Sequence, residues 1–185
     1  MQEIKFLGHI VCDKTVKLGR ERILTILRYP VPNQNQLRKF LGVCNFHQTF
    51  NINYASYVQQ LQVLFRKGNK WSWSSTLQNA LEILRGKFAD SIHLVHADEK
   101  KGYIINTDGS GKAIGGVLLE ENDDGQYNIV STASRVLSAT EQRYSTRERE
   151  LLAVVYALDR SKIYIHGHKI TLCKDSKSFS SWLAG

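Results

Sequence analysis

The strongest constraint on the fold is a change of periodicity near residues 90–100. Beyond it lie three strand-length runs, residues 103–108, 114–120 and 127–134. Gly109-Ser110-Gly111 and Asn122-Asp123-Asp124-Gly125 separate them, and both segments are rich in turn formers. Ser145-Thr146-Arg147-Glu148 then reads as a capping box opening a long helix. The buried stripe of that helix is expected at Leu151, Val154, Val155 and Leu158. After Gly167, residues 169–174 form a fourth strand, and residues 176–183 can open a last helix. Short turns make the first three strands an antiparallel meander. A helix between strands three and four makes strand four parallel to strand three, and so to strand one. The predicted class is α/β (α+β): a mixed sheet with a three-strand meander, a crossover helix and a parallel fourth strand.

The preceding part is mostly helical. Two short strands are expected over residues 4–11 and 15–18, then a helix over 20–27 stopped by Tyr29-Pro30-Val31-Pro32. Asn33 or Asn35 can cap the next helix, whose Leu37, Phe40, Leu41 and Cys44 follow the helical period. Another helical stretch covers about 54–66. After Trp71-Ser72-Trp73, Ser74 or Ser75 can cap a helix with a stripe of Leu77, Ala80, Leu81, Leu84 and Phe88. Two domains follow, residues 1–92 and 93–185.

Charge divides along the same line. Residues 1–100 hold 14 Lys and Arg against 7 Asp and Glu, whereas residues 101–185 hold 11 against 10. A basic half beside a nearly neutral one suits a polyanion partner, or serves solubility alone. The 3 cysteines, Cys12, Cys44 and Cys173, form neither a zinc spacing nor a disulfide framework. That fits a reducing compartment. No apolar run approaches the roughly 18 residues of a membrane span, and Met1 to Lys5 is not a signal peptide. An intracellular, non-secreted protein with no membrane partner is expected.

The topology places three carboxylates. Asp108 ends strand one, Asp175 ends strand four, and Glu150 lies in the first turns of the crossover helix. If strands one and four are neighbours, all three meet at one sheet edge, where open α/β sheets bind ligands. Such a cluster needs a cation to offset its repulsion, and oxygen ligands suit Mg²⁺ or Mn²⁺. Two such ions about 4 Å apart activate water for phosphodiester cleavage. The alternative is three unrelated surface acids.

Other residues carry weaker signals. Asp123-Asp124 reads as a solvated turn, and His166 and His168 as an exposed loop or strand pair. Trp71 and Trp73 suit packing better than base stacking. Arg143, Arg147 and Arg149 fit phosphate contacts or helix surface charges equally. Ser134 and Ser145 lack a His–Asp partner pattern.

At these residues the chain resembles the Pol polyprotein of Ty3/gypsy-type LTR retrotransposons, over nearly its whole length. Phe6-Leu7-Gly8-His9 looks like the primer-grip hairpin of reverse transcriptase. Tyr29-Pro30-Val31-Pro32 with Leu37-Arg38-Lys39-Phe40-Leu41-Gly42-Val43-Cys44-Asn45-Phe46 looks like its thumb segment, and Trp71-Ser72-Trp73 with Gln78-Asn79-Ala80 like its connection. Thr107-Asp108-Gly109-Ser110, Ala133-Ser134-Arg135-Val136-Leu137 and the run from Tyr144 to Leu158 resemble motifs of the ribonuclease H domain. Cys173-Lys174-Asp175-Ser176 resembles another.

The resemblance implies a helical thumb/connection segment ahead of a ribonuclease H-like domain. It implies a ribonuclease H-type endoribonuclease that cuts the RNA strand of an RNA–DNA hybrid. Asp108, Glu150 and Asp175 would be catalytic and would hold two Mg²⁺ ions, with Mn²⁺ as a substitute. Phe6, Leu7, Gly8, His9, Arg38 and Lys39 would touch nucleic acid. The partners implied are an RNA–DNA hybrid, or another nucleic-acid duplex, and the rest of Pol. Lys174 and Ser176 stand where the family has Thr and His. The family's paired-aspartate polymerase hairpin lies upstream of the primer grip, so DNA polymerisation is not expected of this chain. The family also continues beyond Gly185 with a strand and a helix bearing a fourth aspartate, which leads us to expect a C-terminally truncated domain and weak cleavage. The rival expectation is a non-catalytic nucleic-acid-binding remnant or repurposed retroelement fragment.

Overall fold

The computed structural model describes residues 3–31, 33–66 and 68–174. Asp175 and the helix expected over 176–183 lie outside the described residues.

The chain opens with three antiparallel strands, β1 (Ile4–Phe6), β2 (His9–Val11) and β3 (Thr15–Leu18). The single strand expected over 4–11 is therefore two. Leu7 and Gly8 both take positive φ, 48° and 85°, the pair of left-handed residues that a two-residue hairpin turn requires. The Gly8 carbonyl accepts the Gly19 N–H at 2.9 Å, tying this turn to the start of α1 (Arg20–Arg28).

Helices α2 (Gln34–Phe46), α3 (Tyr54–Gln62) and α4 (Ser75–Ala89) follow. Asn33 caps α2 by accepting the Gln36 N–H at 3.0 Å, and Ser74 caps α4 by accepting that of Leu77 at 3.3 Å. Each satisfies one of the orphan donors of a first turn. Leu37, Phe40, Leu41 and Cys44 of α2 share one core with Leu81, Leu84 and Phe88 of α4. The helical stretch expected over 54–66 is α3 followed by a 3₁₀ turn, Val63–Phe65. Trp71 and Trp73 stack on each other at 5.3 Å and pack against this core. A two-residue strand, β4 (Leu94–Val95), pairs antiparallel with β3; so short a strand carries no readable period.

The second sheet holds β5 (Tyr103–Gly109), β6 (Ala113–Glu121), β7 (Tyr127–Val136) and β8 (Ile170–Lys174). Its order is β7-β6-β5-β8. The meander is antiparallel, and β8 runs parallel to β5, as the sequence predicts. The crossover is α5 (Thr146–Ile165), whose capping box between Ser145 and Glu148 is complete.

The stripe predicted on α5 is half right: Leu158 packs on the core and Val154 is half-buried. Leu151 is 67% exposed and Val155 58%, whereas Ala153, Ala157 and Ser161 form the buried seam. The reason is close approach: a Cβ on Gly116 of β6 would lie 2.5 Å from the Ala157 Cβ. Only small residues fit a helix seated that low on a sheet. Tyr103, Ile105, Leu118 and Val130 pack on this face with Ala157. On the opposite face Val117, Leu119 and Ile129 meet Ile52, Ile92 and Leu94 from the first half. Two hydrogen bonds join the halves there. The Ala55 N–H donates to Ser134 Oγ at 2.9 Å, and the Thr132 hydroxyl donates to the Thr49 carbonyl at 3.1 Å.

Candidate active site

Asp108 stands one residue before the end of β5, directly opposite Gly115 of β6. Residues opposite each other in an antiparallel pair share a face. Gly116 faces α5, so Asp108 and Gly115 belong to the other face. Asp108 is exposed and Glu150, near the start of α5, is half-buried.

One close backbone approach brings their elements together. A Cβ on Gly109 would lie 3.4 Å from the Arg149 carbonyl oxygen. The strand end after Asp108 thus passes close to the helix turn before Glu150, at one end of the sheet. The turn beyond is fixed by Ser110, whose Oγ accepts the N–H groups of Lys112 at 3.2 Å and Ala113 at 2.9 Å. Arg149 is held locally: its guanidinium donates to the Tyr144 carbonyl at 2.9 Å and to Thr146 Oγ1 at 3.4 Å.

The third predicted residue is one step from this edge in sequence. Lys174 pairs with Thr107 across β8 and β5, and Asp175 follows it, outside the described residues. Among the described residues no three His, Cys, Asp or Glu side chains converge. The donor set at the edge is two carboxylates, hard oxygen ligands that match Mg²⁺ or Mn²⁺ rather than a soft, thiolate-seeking metal.

The six residues expected to touch nucleic acid separate into two groups. Phe6 and Leu7 are 62% and 64% exposed at the hairpin tip. Beside them a cavity of about 560 Å³ is lined by Lys5, Gly8, His9, Arg20 and Arg22. Lys39 lines a neighbouring one of about 400 Å³ with Arg22, Phe46 and His47. The structure thus collects Phe6, Leu7, Gly8, His9 and Lys39 on one side. Arg38 lies apart, its guanidinium 5.2 Å above the Phe65 ring.

Phe46 belongs to the thumb-like segment, whereas nothing in the sequence points to Arg22 or His47 as part of this side. His47 is 1% exposed, and its Nδ1 lies 3.1 Å from Nε2 of His9. Burial, with smaller contributions from His9 and Arg22, lowers the His47 pKa to about 4, and burial lowers that of His9. The pattern held a clue: His47 continues the buried face of Phe40 and Cys44 at helical spacing.

The remaining residues behave as local structure. Asn122 Oδ1 accepts the N–H groups of Asp124 and Gln126, and Asp123 pairs with Lys101 at 3.2 Å, so Asp123-Asp124 is a turn. His166 is exposed, and His168 sets its edge against Tyr103. Arg143 and Arg147 are exposed. Ser134 and Ser145 are occupied as a hydrogen-bond acceptor and a helix cap. No helix among the described residues is long and apolar enough to cross a membrane.

Residues 73–172 match a family described as the RNase H-like domain found in reverse transcriptase. The chain is 32% identical over 178 residues to the retrovirus-related Pol polyprotein from transposon 412 of Drosophila melanogaster, covering 96% of this chain and 14% of that protein. It is 29% identical over 164 residues to the transposon Tf2-3 polyprotein of Schizosaccharomyces pombe, covering 88% of this chain and 12% of the relative. It thus spans about one seventh or less of these relatives. Among solved structures, the foamy viral protease-reverse transcriptase in complex with an RNA/DNA hybrid superposes with a TM-score of 0.78 at 22% identity. That match covers 98% of this chain and 27% of that one. A dRH form in complex with double-stranded DNA also gives 0.78, at 23% identity, covering 97% of this chain and 32% of that one. At these identities the two superpositions establish the fold.

Proposed function

From the premise that the chain belongs to the RNase H-like domain family of reverse transcriptases, we propose that it hydrolyses the RNA strand of an RNA–DNA hybrid as a piece of a Ty3/gypsy-type Pol polyprotein. The observation that carries this reading is the close approach of Gly109 to Arg149, which brings the strand end after Asp108 against the helix turn before Glu150. Asp108, Glu150 and Asp175 would hold two Mg²⁺ ions, with Mn²⁺ as a substitute. When bound, those ions activate the attacking water and stabilise the leaving oxygen. The chain's own contribution is placement. A strand end and a helix start would each bring one carboxylate to this end of the sheet. Ser110 stiffens the turn behind Asp108, and the Ser145–Glu148 box anchors the helix start two residues before Glu150.

The partner proposed is an RNA–DNA hybrid or a related duplex, gripped through phosphates and without sequence reading. The hairpin tip with Phe6, Leu7, Gly8 and His9 would contact it together with Lys39. The test is cleavage of an end-labelled hybrid in Mg²⁺ by the wild type and Asp108→Asn. Loss of a residue that merely supports a metal ligand costs about 10–100-fold, so loss of a ligand should exceed roughly 100-fold. Full activity in Asp108→Asn would end the assignment.

A further inference from the structure

Asn106 lies at the middle of β5, and its side chain is buried without a partner. It is 6% exposed. Among the described residues neither its Oδ1 nor its Nδ2 is hydrogen-bonded, and no other carboxamide there is buried with both ends in that state. Buried carboxamides are nearly always satisfied, because a polar group left unpaired in a dry place destabilises the fold. The exceptions collect at functional sites.

The register shows what surrounds it. Side chains alternate along a strand, so Ile104, Asn106 and Asp108 share the face away from α5. Ile104 packs there with Val117, Leu119 and Ile129. Asn106 stands opposite Val117 of β6 and Cys173 of β8. Valine offers no hydrogen bond, and a thiol only a weak one. The next position of β6 on this face toward the edge is Gly115, which has no side chain. Asp108 is therefore the nearest side chain on this sheet face that bonds strongly. Two residues of strand separate it from Asn106 by about 6.7 Å. That is too far for a direct bond between side chains standing parallel, and it suits a water between them.

We infer that Asn106 is a positioning residue of the carboxylate edge, holding through its carboxamide a water bound to the cation at Asp108. The inference rests on the reading that Asp108 is a cation ligand, and adds a residue that acts behind it. Mg²⁺ dehydrates reluctantly and keeps several waters when one or two carboxylates bind it. A water whose oxygen faces a cation has protons to donate and needs an acceptor, which Oδ1 supplies. The other role open to Asn106 is structural. Asn51 of the helical half is 4% exposed with an unpartnered Nδ2, so the two could serve the seam between the halves.

The test is Mn²⁺ binding to the full chain, read by electron paramagnetic resonance of the free ion, beside thermal unfolding in EDTA. It compares the wild type, Asp108→Asn and Asn106→Leu. Leucine approximates the shape of asparagine and needs no partner. In EDTA the Tm of Asn106→Leu should rise by about 2–4 °C. Its Kd for Mn²⁺ should nevertheless rise about 10–100-fold, the usual effect of losing a group behind a metal ligand. A fall in Tm, or an unchanged Kd, would overturn the inference. The first makes Asn106 a structural bridge, and the second leaves the cation site without it. If Asn106→Leu does not fold, Asn106→Val, smaller and suited to a strand, reads the same two quantities. Loss of binding in Asp108→Asn but not in Asn106→Leu would refute this inference alone. No binding by the wild type would refute the cation reading with it.

Discussion

Substituting Gly116→Ala probes the seam that seats α5 and, through it, Glu150. The added Cβ would lie 2.5 Å from that of Ala157, against about 3.5–4.0 Å for carbon atoms in contact. Helix and sheet must separate by about 1 Å or more. Overpacking of this kind costs about 1–3 kcal/mol, and removing a glycine from the unfolded chain offsets about 0.4–1 kcal/mol. The net loss should be about 1–2 kcal/mol, a fall in Tm of about 2–8 °C for a chain of this size. Ala157→Gly alone should cost about 1 kcal/mol of helix propensity. Together the two should nearly cancel, because the next nearest atoms, the Asn106 carbonyl oxygen and the Ala157 Cα, are at 3.4 and 3.6 Å. Urea denaturation of the four proteins reads the cycle, with the double variant losing about 0.5 kcal/mol where additivity gives about 2–3 kcal/mol. Additive losses would show that the close approach of Gly116 and Ala157 does not set the height of the helix.

Two further outcomes follow from burial. Burial holds the His47 pKa at about 4 in the folded chain against the ordinary 6.5 of a histidine, so the unfolded state binds more protons between those values. Stability should be full above pH 6.5 and fall as pH drops toward 4, with the Tm of His47→Gln less dependent on pH over that window. On α5, Leu151→Ser should change stability by less than about 0.5 kcal/mol, because that side chain is 67% exposed, whereas Ala153→Leu should cost about 1–3 kcal/mol in thermal unfolding.

The sequence revealed the architecture where local chemistry and period agree. Asn33, Ser74 and the Ser145–Glu148 box cap the helices they were expected to cap. The turn residues of the meander and the crossover rule lead to a β8 parallel to β5. Period alone misread half of the α5 stripe. Leu151 and Val155 fit a helical stripe, but the partner surface is the glycine side of β6, which selects Ala153 and Ala157. That surface is a tertiary fact, and the helix sequence does not contain it. β4 escaped notice because its pairing lies entirely with the distant β3. At the edge, the neighbouring positions of Asp108 and Glu150 follow from topology. The close approach of their elements depends on Gly109, which reads from sequence only as a turn former. Arg38 and Lys39 are adjacent in sequence, yet a helix turns about 100° per residue and sends them to different surfaces.

The central claim is that Asp108 and Glu150 act as one cation-holding edge, and a Mn²⁺ titration of thermal stability tests it most directly. In the wild type, Mn²⁺ at about 100 times its Kd should add about 2.7 kcal/mol. Asp108→Asn and Glu150→Gln should each lose most of that gain. Without cation, Asp108→Asn should change stability by less than about 0.5 kcal/mol, because Asp108 is exposed. Equal stabilisation of the wild type and both variants, or none in the wild type, would contradict the account.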